Sequence, residues 1–220
     1  MTPARGWRNG NLVPLAWSSE QDYWGRAGGK RLTTPPGRLT RPTTDRVREA
    51  VFSALAAWNG TADEVPEDQL ANQTFCDLFA RSGAVALEAA SRGATTVVAV
   101  DRDRCACNVM KDNSRTTRLR IEVLSQTVTA FLAENHRVFD VVWFDPPYDL
   151  AADDMDSLIL TACDGALAHN GLLVVERSRR SRDPCFPDGY ESWNSRYGET
   201  VVYYAQRTGE PEADAGREQQ

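Results

Sequence analysis

A doubly wound α/β fold built on a mostly parallel seven-stranded sheet is the class this sequence predicts, and three observations predict it. Short apolar runs alternate with helical stretches between residues 74 and 176, the pattern of parallel strands joined by right-handed crossovers. Two later runs, 190–193 and 199–205, lie close enough in sequence to form an antiparallel pair. The apolar run 139–144 stops abruptly at Asp145-Pro146-Pro147-Tyr148. Two prolines cannot continue a ladder, and they stiffen the chain around them.

Taken in chain order, residues 1–22 lack periodicity and are expected to be a disordered extension. Residues 23–40 hold Gly25, Gly28, Gly29 and Gly37 among short extended pieces around Arg31-Leu32-Thr33, which suits a small hairpin. Pro42-Thr43-Thr44-Asp45 then opens a helix whose Val47, Val51, Phe52 and Leu55 share one face, with Arg46, Arg48 and Glu49 mostly off it. This hairpin and helix, 23–60, form a small extension ahead of a main domain at 61–207. Strands are expected at 74–80, 95–101, 121–125, 138–144 and 172–176, followed by the late pair. Residues 208–220, rich in Gly, Glu, Asp and Gln, read as a disordered acidic tail.

Composition narrows the functional classes. The 220-residue chain is 41% hydrophobic and 25% charged, ordinary for a globular protein. No apolar stretch approaches the roughly 20 residues of a membrane span and the first residues lack a secretory h-region, so a cytoplasmic protein is expected. Five cysteines form no pair at metal-ligand spacing; Cys105 and Cys107 stand two apart in a helical stretch, where they do not share a face. Reduced, mostly buried thiols and no metal are therefore expected. The net charge of −6 is unevenly spread: residues 1–50 carry nine basic and four acidic side chains, a local +5 that leaves −11 on the remainder. A basic segment on an acidic body suits contact with a phosphate backbone, although charge alone fits an unpartnered basic arm as well.

Two strand ends carry the chemistry. The turn Asp77-Leu78-Phe79-Ala80-Arg81-Ser82-Gly83 enters a helix, and Asp101 ends the next strand 18 positions after Gly83. That spacing is the one at which α/β folds hold the ribose of an adenosine-containing cofactor. The single glycine of the turn fits the dinucleotide fingerprint poorly, which weakens a dehydrogenase reading. At the second strand end, Asp145 and the Pro146 carbonyl can accept the two hydrogens of an NH2 group on a planar ring while Tyr148 stacks on it. Glu176 reads as a strand-end charge more readily than as a pocket acid, and His136 and His169 read as exposed loop residues.

Together, the run RPTTDRVRE at 41–49, the turn DLFA-x-SGA at 77–84, LEA-x-SRGA at 87–94 and DPPY at 145–148 resemble the RsmD family. The resemblance covers about 23–207 in the right order. RPTTDRVRE is its family-specific part; the other motifs are shared by many amino-methyltransferases. It implies a Rossmann-like methyltransferase that moves a methyl group from S-adenosylmethionine to the N2 amine of a guanine in 16S ribosomal RNA. By that resemblance Asp77, Phe79, Ala80, Arg81, Ser82 and Gly83 wrap the methionine end of the cofactor. Asp101 and Arg102 meet its ribose, and Ser125 and Gln126 its adenine. Asp145, Pro146, Pro147 and Tyr148 act on the base, and Arg31, Arg41, Arg46 and Arg48 meet RNA phosphates. A monomer acting on 16S ribosomal RNA or the small-subunit particle is implied. One departure stands out: Arg81 occupies a position that is Gly in the family pattern. An amino-methyltransferase of DNA adenine or protein glutamine remains an alternative, as does a non-catalytic RNA-binding or ribosome-assembly factor whose cofactor pocket Arg81 has disabled.

Overall fold

The computed structural model describes residues 5–8, 11–14, 19–20, 32–33, 45–147 and 149–209. The chain divides into two compact units, Met1–Phe131 and Leu132–Gln220. The main sheet is seven-stranded.

In the first unit, β1 (Arg5–Arg8) and β2 (Asn11–Pro14) pair antiparallel. This ladder lies within the stretch 1–22. Its four-residue strands are too short to show a period-2 pattern, which is why no periodicity announces them. β3 (Ser19–Glu20) pairs antiparallel with β4 (Leu32–Thr33), so the expected extended piece at Leu32-Thr33 takes its partner from upstream of residue 23.

Helix α1 (Asp45–Trp58) buries Val47, Val51, Phe52 and Leu55, as its periodicity predicts. Arg48 is only 3% exposed. Helical spacing explains it: positions 48, 52 and 56 form an i, i+4 row, and Phe52 and Ala56 are both buried. Arg48 therefore belongs to the packed face rather than to a phosphate-facing one, a correction to the sequence expectation. Phe52 stacks on Phe75 with ring centroids 6.1 Å apart, and the guanidinium of Arg92 lies 5.2 Å from the Phe52 centroid. Arg92 is buried and pairs with the equally buried Glu88 at 2.6 Å, one helical turn earlier.

Strands β5 (Thr74–Leu78), β6 (Thr96–Asp101) and β7 (Glu122–Ser125) run parallel in that order. Their connections are α2 (Ala84–Ser91) and α3 (Arg104–Thr117). The near-continuous apolar character of β5 and β6, with Phe75, Cys76, Leu78 and Val97 through Val100 buried, is that of strands covered on both faces. The units meet in sequence inside α4 (Val128–Glu134).

The second unit holds β8 (Phe139–Phe144), α5 (Ala152–Gly165), β9 (Leu167–Ser178), β10 (Tyr190–Tyr197) and β11 (Thr200–Arg207). β8 is parallel to β9, and β11 is antiparallel to both β9 and β10. The late antiparallel pair is thus present, with every residue from Tyr190 to Tyr197 paired. β9 is longer than the expected 172–176. Its extra residues include His169, Asn170, Arg177 and Ser178, which carry no apolar signal; Leu167 is held by pairing with Phe139, and Arg177 and Ser178 by pairing with Val201 and Thr200. Edge strand β10 is largely exposed and carries Glu191 and Arg196, charges that discourage edge-to-edge association.

Among the described residues no helix is long and apolar enough to cross a membrane, and no group of three or more His, Cys, Asp or Glu is placed to hold a metal. Cys76, Cys107 and Cys163 are buried free thiols, while Cys105 and Cys185 are exposed. Tyr148, Arg31, Arg41 and the helix-opening Pro42-Thr43-Thr44 lie outside the described residues, as does the expected tail from 210 onward.

Candidate active site

In the first unit the backbone builds the site. Leaving β5, the chain bends through Phe79 (φ +67°), Arg81 (φ +52°) and Gly83 (φ +76°), three left-handed residues in alternation. Such a bend aims consecutive peptide groups at one concavity, the arrangement that binds anionic or hydroxyl-bearing ligands. Arg81 adopts the left-handed conformation for which the family pattern uses Gly. A non-glycine residue there costs on the order of 1–2 kcal/mol, and hydrogen bonds hold it in place. The N–H of Arg81 donates to Asp101 Oδ2 at 2.9 Å, the N–H of Ala80 donates to the Val100 carbonyl at 3.0 Å, and Gly83 N–H donates to the Ala80 carbonyl at 2.7 Å. Gly83 has a further constraint: a Cβ there would stand 2.8 Å from Met110 Cγ.

Asp77, 2% exposed, supports the turn from beneath. Helix α2 begins at Gly83, which has no side chain to cap it, and Asp77 Oδ2 accepts the N–H of Ala86 at 3.1 Å instead. This satisfies one of the orphan donors of the first helical turn and places negative charge at the positive end of the helix. Asp77 is thereby the residue that fixes the helix to the strand.

Asp101 ties three strand ends together. Its Oδ2 accepts from Arg81, its Oδ1 accepts from the Asp103 N–H at 2.8 Å, and its carbonyl accepts from the Gln126 N–H at 3.1 Å. Each carboxylate oxygen has a second lone pair that can take a hydroxyl hydrogen, so the group is both fixed and able to accept a ribose diol. The residues present therefore fit an adenosine-containing cofactor. Cys107 Sγ–H donates to the same Asp101 carbonyl at 3.3 Å. Burial is the main cause pushing the Cys107 thiol above its usual range, with a hydrogen bond to Ser125 pulling the other way. The neighbours of Asp101 at these strand ends complete the set: Arg102 and Ser125 are exposed and Gln126 is half-buried.

Asn113 was not anticipated. It sits on the buried face of α3, 2% exposed. Its Nδ2 donates to the carbonyls of Ser82 (3.0 Å) and Thr33 (2.9 Å), and its Oδ1 accepts the Thr33 N–H at 2.9 Å. One side chain thus ties β4 to the turn at 79–83. The available signal was its spacing: Val109, Met110, Asn113 and Thr117 fall on one helical face, and an amide among buried residues needs partners.

The second unit is built differently. Asp145 and Pro147 are half-buried and Pro146 is buried just past the end of β8, and the Leu150 N–H closes a turn onto the Pro147 carbonyl at 3.1 Å. A small polar cleft is lined by Asp145, Pro146, Glu176, Arg177, Ser178 and Thr200. Glu176 is 8% exposed and lines this cleft, so it is a pocket acid rather than a surface strand-end charge. On β11, Tyr203 donates to Asp183, and burial together with that carboxylate raises its phenol to about 12. Of the expected RNA-facing arginines, the described ones are exposed Arg46 and buried Arg48.

A family model described as Conserved hypothetical protein 95 matches residues 23–206. The chain is 29% identical over 193 residues to Ribosomal RNA small subunit methyltransferase D of Escherichia coli K12, covering 87% of this chain and 91% of that protein. It is 31% identical over 157 residues to the protein of the same name from Haemophilus influenzae, covering 69% and 75% of the two. A solved hypothetical protein of Thermus thermophilus superposes with a TM-score of 0.68 at 29% identity, covering 83% of this chain and 96% of that one. With the family's match running from residue 23 to residue 206, across both units, the chain belongs to the Conserved hypothetical protein 95 family, which is the RsmD family.

Proposed function

We propose that this protein transfers a methyl group from S-adenosylmethionine to the exocyclic N2 amine of a guanine in the 16S RNA of the small ribosomal subunit, as a cytoplasmic monomer. The observation that carries the reading is the placement of Asp145 and Pro146 in a polar cleft at the carboxyl end of a parallel strand, where open α/β sheets bind ligands. The names borne by the E. coli and H. influenzae relatives supply the RNA and the subunit.

When bound, the cofactor supplies a methyl group made electrophilic by its attachment to a sulfonium. The protein's own part is positioning and charge management. In the first unit the bend at 79–83 provides the backbone concavity and Asp101 the ribose acceptor. In the second, the Asp145 carboxylate and the Pro146 carbonyl accept the two hydrogens of the target amine. Guanine's amine is a poor nucleophile because its lone pair is delocalised into the ring. Acceptors on both hydrogens favour a pyramidal nitrogen and stabilise the positive charge that develops there. Asp145 then takes the proton, directly or through a water. The target base must leave its stack to reach the cleft, and Tyr148 supplies the replacement stack in this reading. Exposed Arg46, with Arg31 and Arg41, meets phosphates in a salt-sensitive way.

Two measurements test the proposal. Calorimetric titration with S-adenosylmethionine is expected to show saturable binding to one site. Tritiated cofactor with small-subunit particles is expected to yield N2-methylguanosine on nucleoside digestion. Binding without transfer to RNA would point to another amine or amide substrate; absence of binding would favour a non-catalytic RNA-binding role.

A further inference from the structure

The second unit carries a run of positive charge that the proposed reaction does not use. Residues 177–182 hold four arginines and no acid, although residues 51–220 as a whole carry −11. Two of the four are absorbed by the fold: Arg177 is 6% exposed, and Arg182 pairs with Asp153 and Asp156 of α5. Arg179 and Arg180 stay at the surface, their side chains 58% and 84% exposed. Among the described residues they share a single carboxylate, that of Glu199, at 3.3 Å and 3.5 Å. Both contacts are longer than an ordinary N–H···O bond, and exposed pairs of this kind contribute little to stability. One anion between two cations leaves the trio with a net positive charge.

The backbone sets where that charge stands. Ser178 pairs with Thr200 at the end of the β9–β11 ladder, and both line the cleft that holds Asp145. Arg179 is the next residue outward from Ser178, as Glu199 is from Thr200, and the Arg179 N–H donates to the Glu199 carbonyl at 2.8 Å. The Arg180 N–H donates to Ser178 Oγ at 3.3 Å, and the Ser181 N–H donates to the Ser178 carbonyl at 2.9 Å. The two guanidinium groups therefore leave a hydrogen-bonded backbone beside the cleft, which lowers the ordering cost of meeting a ligand. Their forked donors match the oxygens of a phosphate.

A base brought to Asp145 carries a phosphate on either side, and that charge must come to rest on the protein nearby. We propose that Arg179 and Arg180 form a phosphate-binding rim for the RNA that bears the target base, with Glu199 holding the two guanidinium groups until the phosphate replaces it. The inference rests on the methyl-transfer reading above and deepens it by giving the second unit an RNA contact of its own. Such a contact positions the RNA without reading its sequence, and salt weakens it.

The test compares the full-length wild-type protein with Arg179→Ala/Arg180→Ala and with Glu199→Gln. Co-sedimentation with small-subunit particles measures affinity without requiring turnover, and tritiated S-adenosylmethionine with nucleoside digestion measures transfer. For the double variant, Kd for the particles is expected to rise on the order of 10-fold, and the slope of log affinity against log salt to become shallower by about 2. Calorimetric affinity for S-adenosylmethionine and kcat at saturating particles stay within about twofold. Replacing both arginines with lysine keeps most of the salt slope, because the charge remains. Glu199→Gln moves the other way and tightens particle binding by roughly threefold, because the competing anion is gone. A merely structural trio would weaken binding in both variants alike, and that result overturns the proposal. So does an unchanged salt slope in the double variant, or a loss of cofactor affinity as large as the loss of particle affinity. If the wild type binds particles through these arginines but labels no guanine, the rim stands and the methyl-transfer reading fails; if the wild type does not bind particles, both fail.

Discussion

The turn at 79–83 and the cleft beside Asp145 stand at strand ends of two different units, and they are made of different material. The turn is a backbone device: its donors and acceptors are main-chain groups of Ala80, Arg81, Ser82 and Gly83, braced by the side chains of Asp77, Asp101 and Asn113. The cleft is a side-chain device lined by Asp145, Glu176, Arg177, Ser178 and Thr200. Backbone groups recognise what every molecule of a cofactor class shares, and they tolerate sequence change if the bend survives. Side chains read particular donors and acceptors, so a single substitution can change the substrate. In the proposed reaction, cofactor binding would fall to the first region, and selection and chemistry to the second.

Substitutions that separate binding from turnover sharpen this contrast. The largest effect is expected from Asp145→Ala, which should lower methyl transfer by at least about 10³-fold through loss of the amine acceptor and base. Cofactor affinity measured by calorimetry should remain within a few-fold of wild type. Equal loss of both would contradict the division of labour. Asp101→Ala should do the reverse: cofactor Kd rises on the order of 100-fold, because two ribose hydrogen bonds to a charged group and the anchor of Arg81 are lost together. At saturating cofactor its kcat should change much less, and a collapse of kcat at saturation would count against a binding role.

Asn113→Ala tests whether the turn depends on support from α3. Leaving the Ser82 carbonyl and the Thr33 peptide groups without that partner should cost about 2 kcal/mol of stability, read as a lower urea midpoint at unchanged slope, and should raise the KM for cofactor more than it lowers kcat. An unchanged midpoint would show that the Ser82 and Thr33 bonds are readily replaced by water. The smallest effect belongs to Arg81→Gly. Relief of the left-handed conformation outweighs the greater flexibility of Gly in the unfolded chain, for a net gain of about 0.5–1 kcal/mol. Cofactor affinity should shift by no more than a few-fold. A large gain in affinity would mean that the Arg81 side chain, rather than its backbone, obstructs the site.

The legible part of the sequence was the part governed by local pattern. Apolar runs between helical stretches gave β5, β6, β7 and β8 to within two residues at each end, and the prolines at 146 and 147 marked where β8 stops. Asp101 could be singled out because its spacing from Gly83 is a consequence of one crossover helix between adjacent parallel strands. The burial of Arg48 follows from position as well: the i, i+4 row through Phe52 and Ala56 sets it on the packed face of α1 despite its charge.

Tertiary structure decided what depends on partners distant in sequence. The polar ends of β9 are strand because Leu167, Arg177 and Ser178 have neighbours to pair with, and no local propensity announces that. Asn113 matters because the fold brings Thr33, 80 residues away, and Ser82 within its reach. Arg81 illustrates both sides. Its identity at a Gly position was plain from the sequence, yet only the folded chain holds it at φ +52° by giving its N–H to Asp101. Glu176 likewise became a cleft-lining acid only when β9 paired with β11 and its neighbours folded around it. Local sequence determines which elements form, because period and turn chemistry act over a few residues. The register between elements determines which side chains face one another, because it is set by hydrogen bonds and packing between segments that the linear order keeps apart.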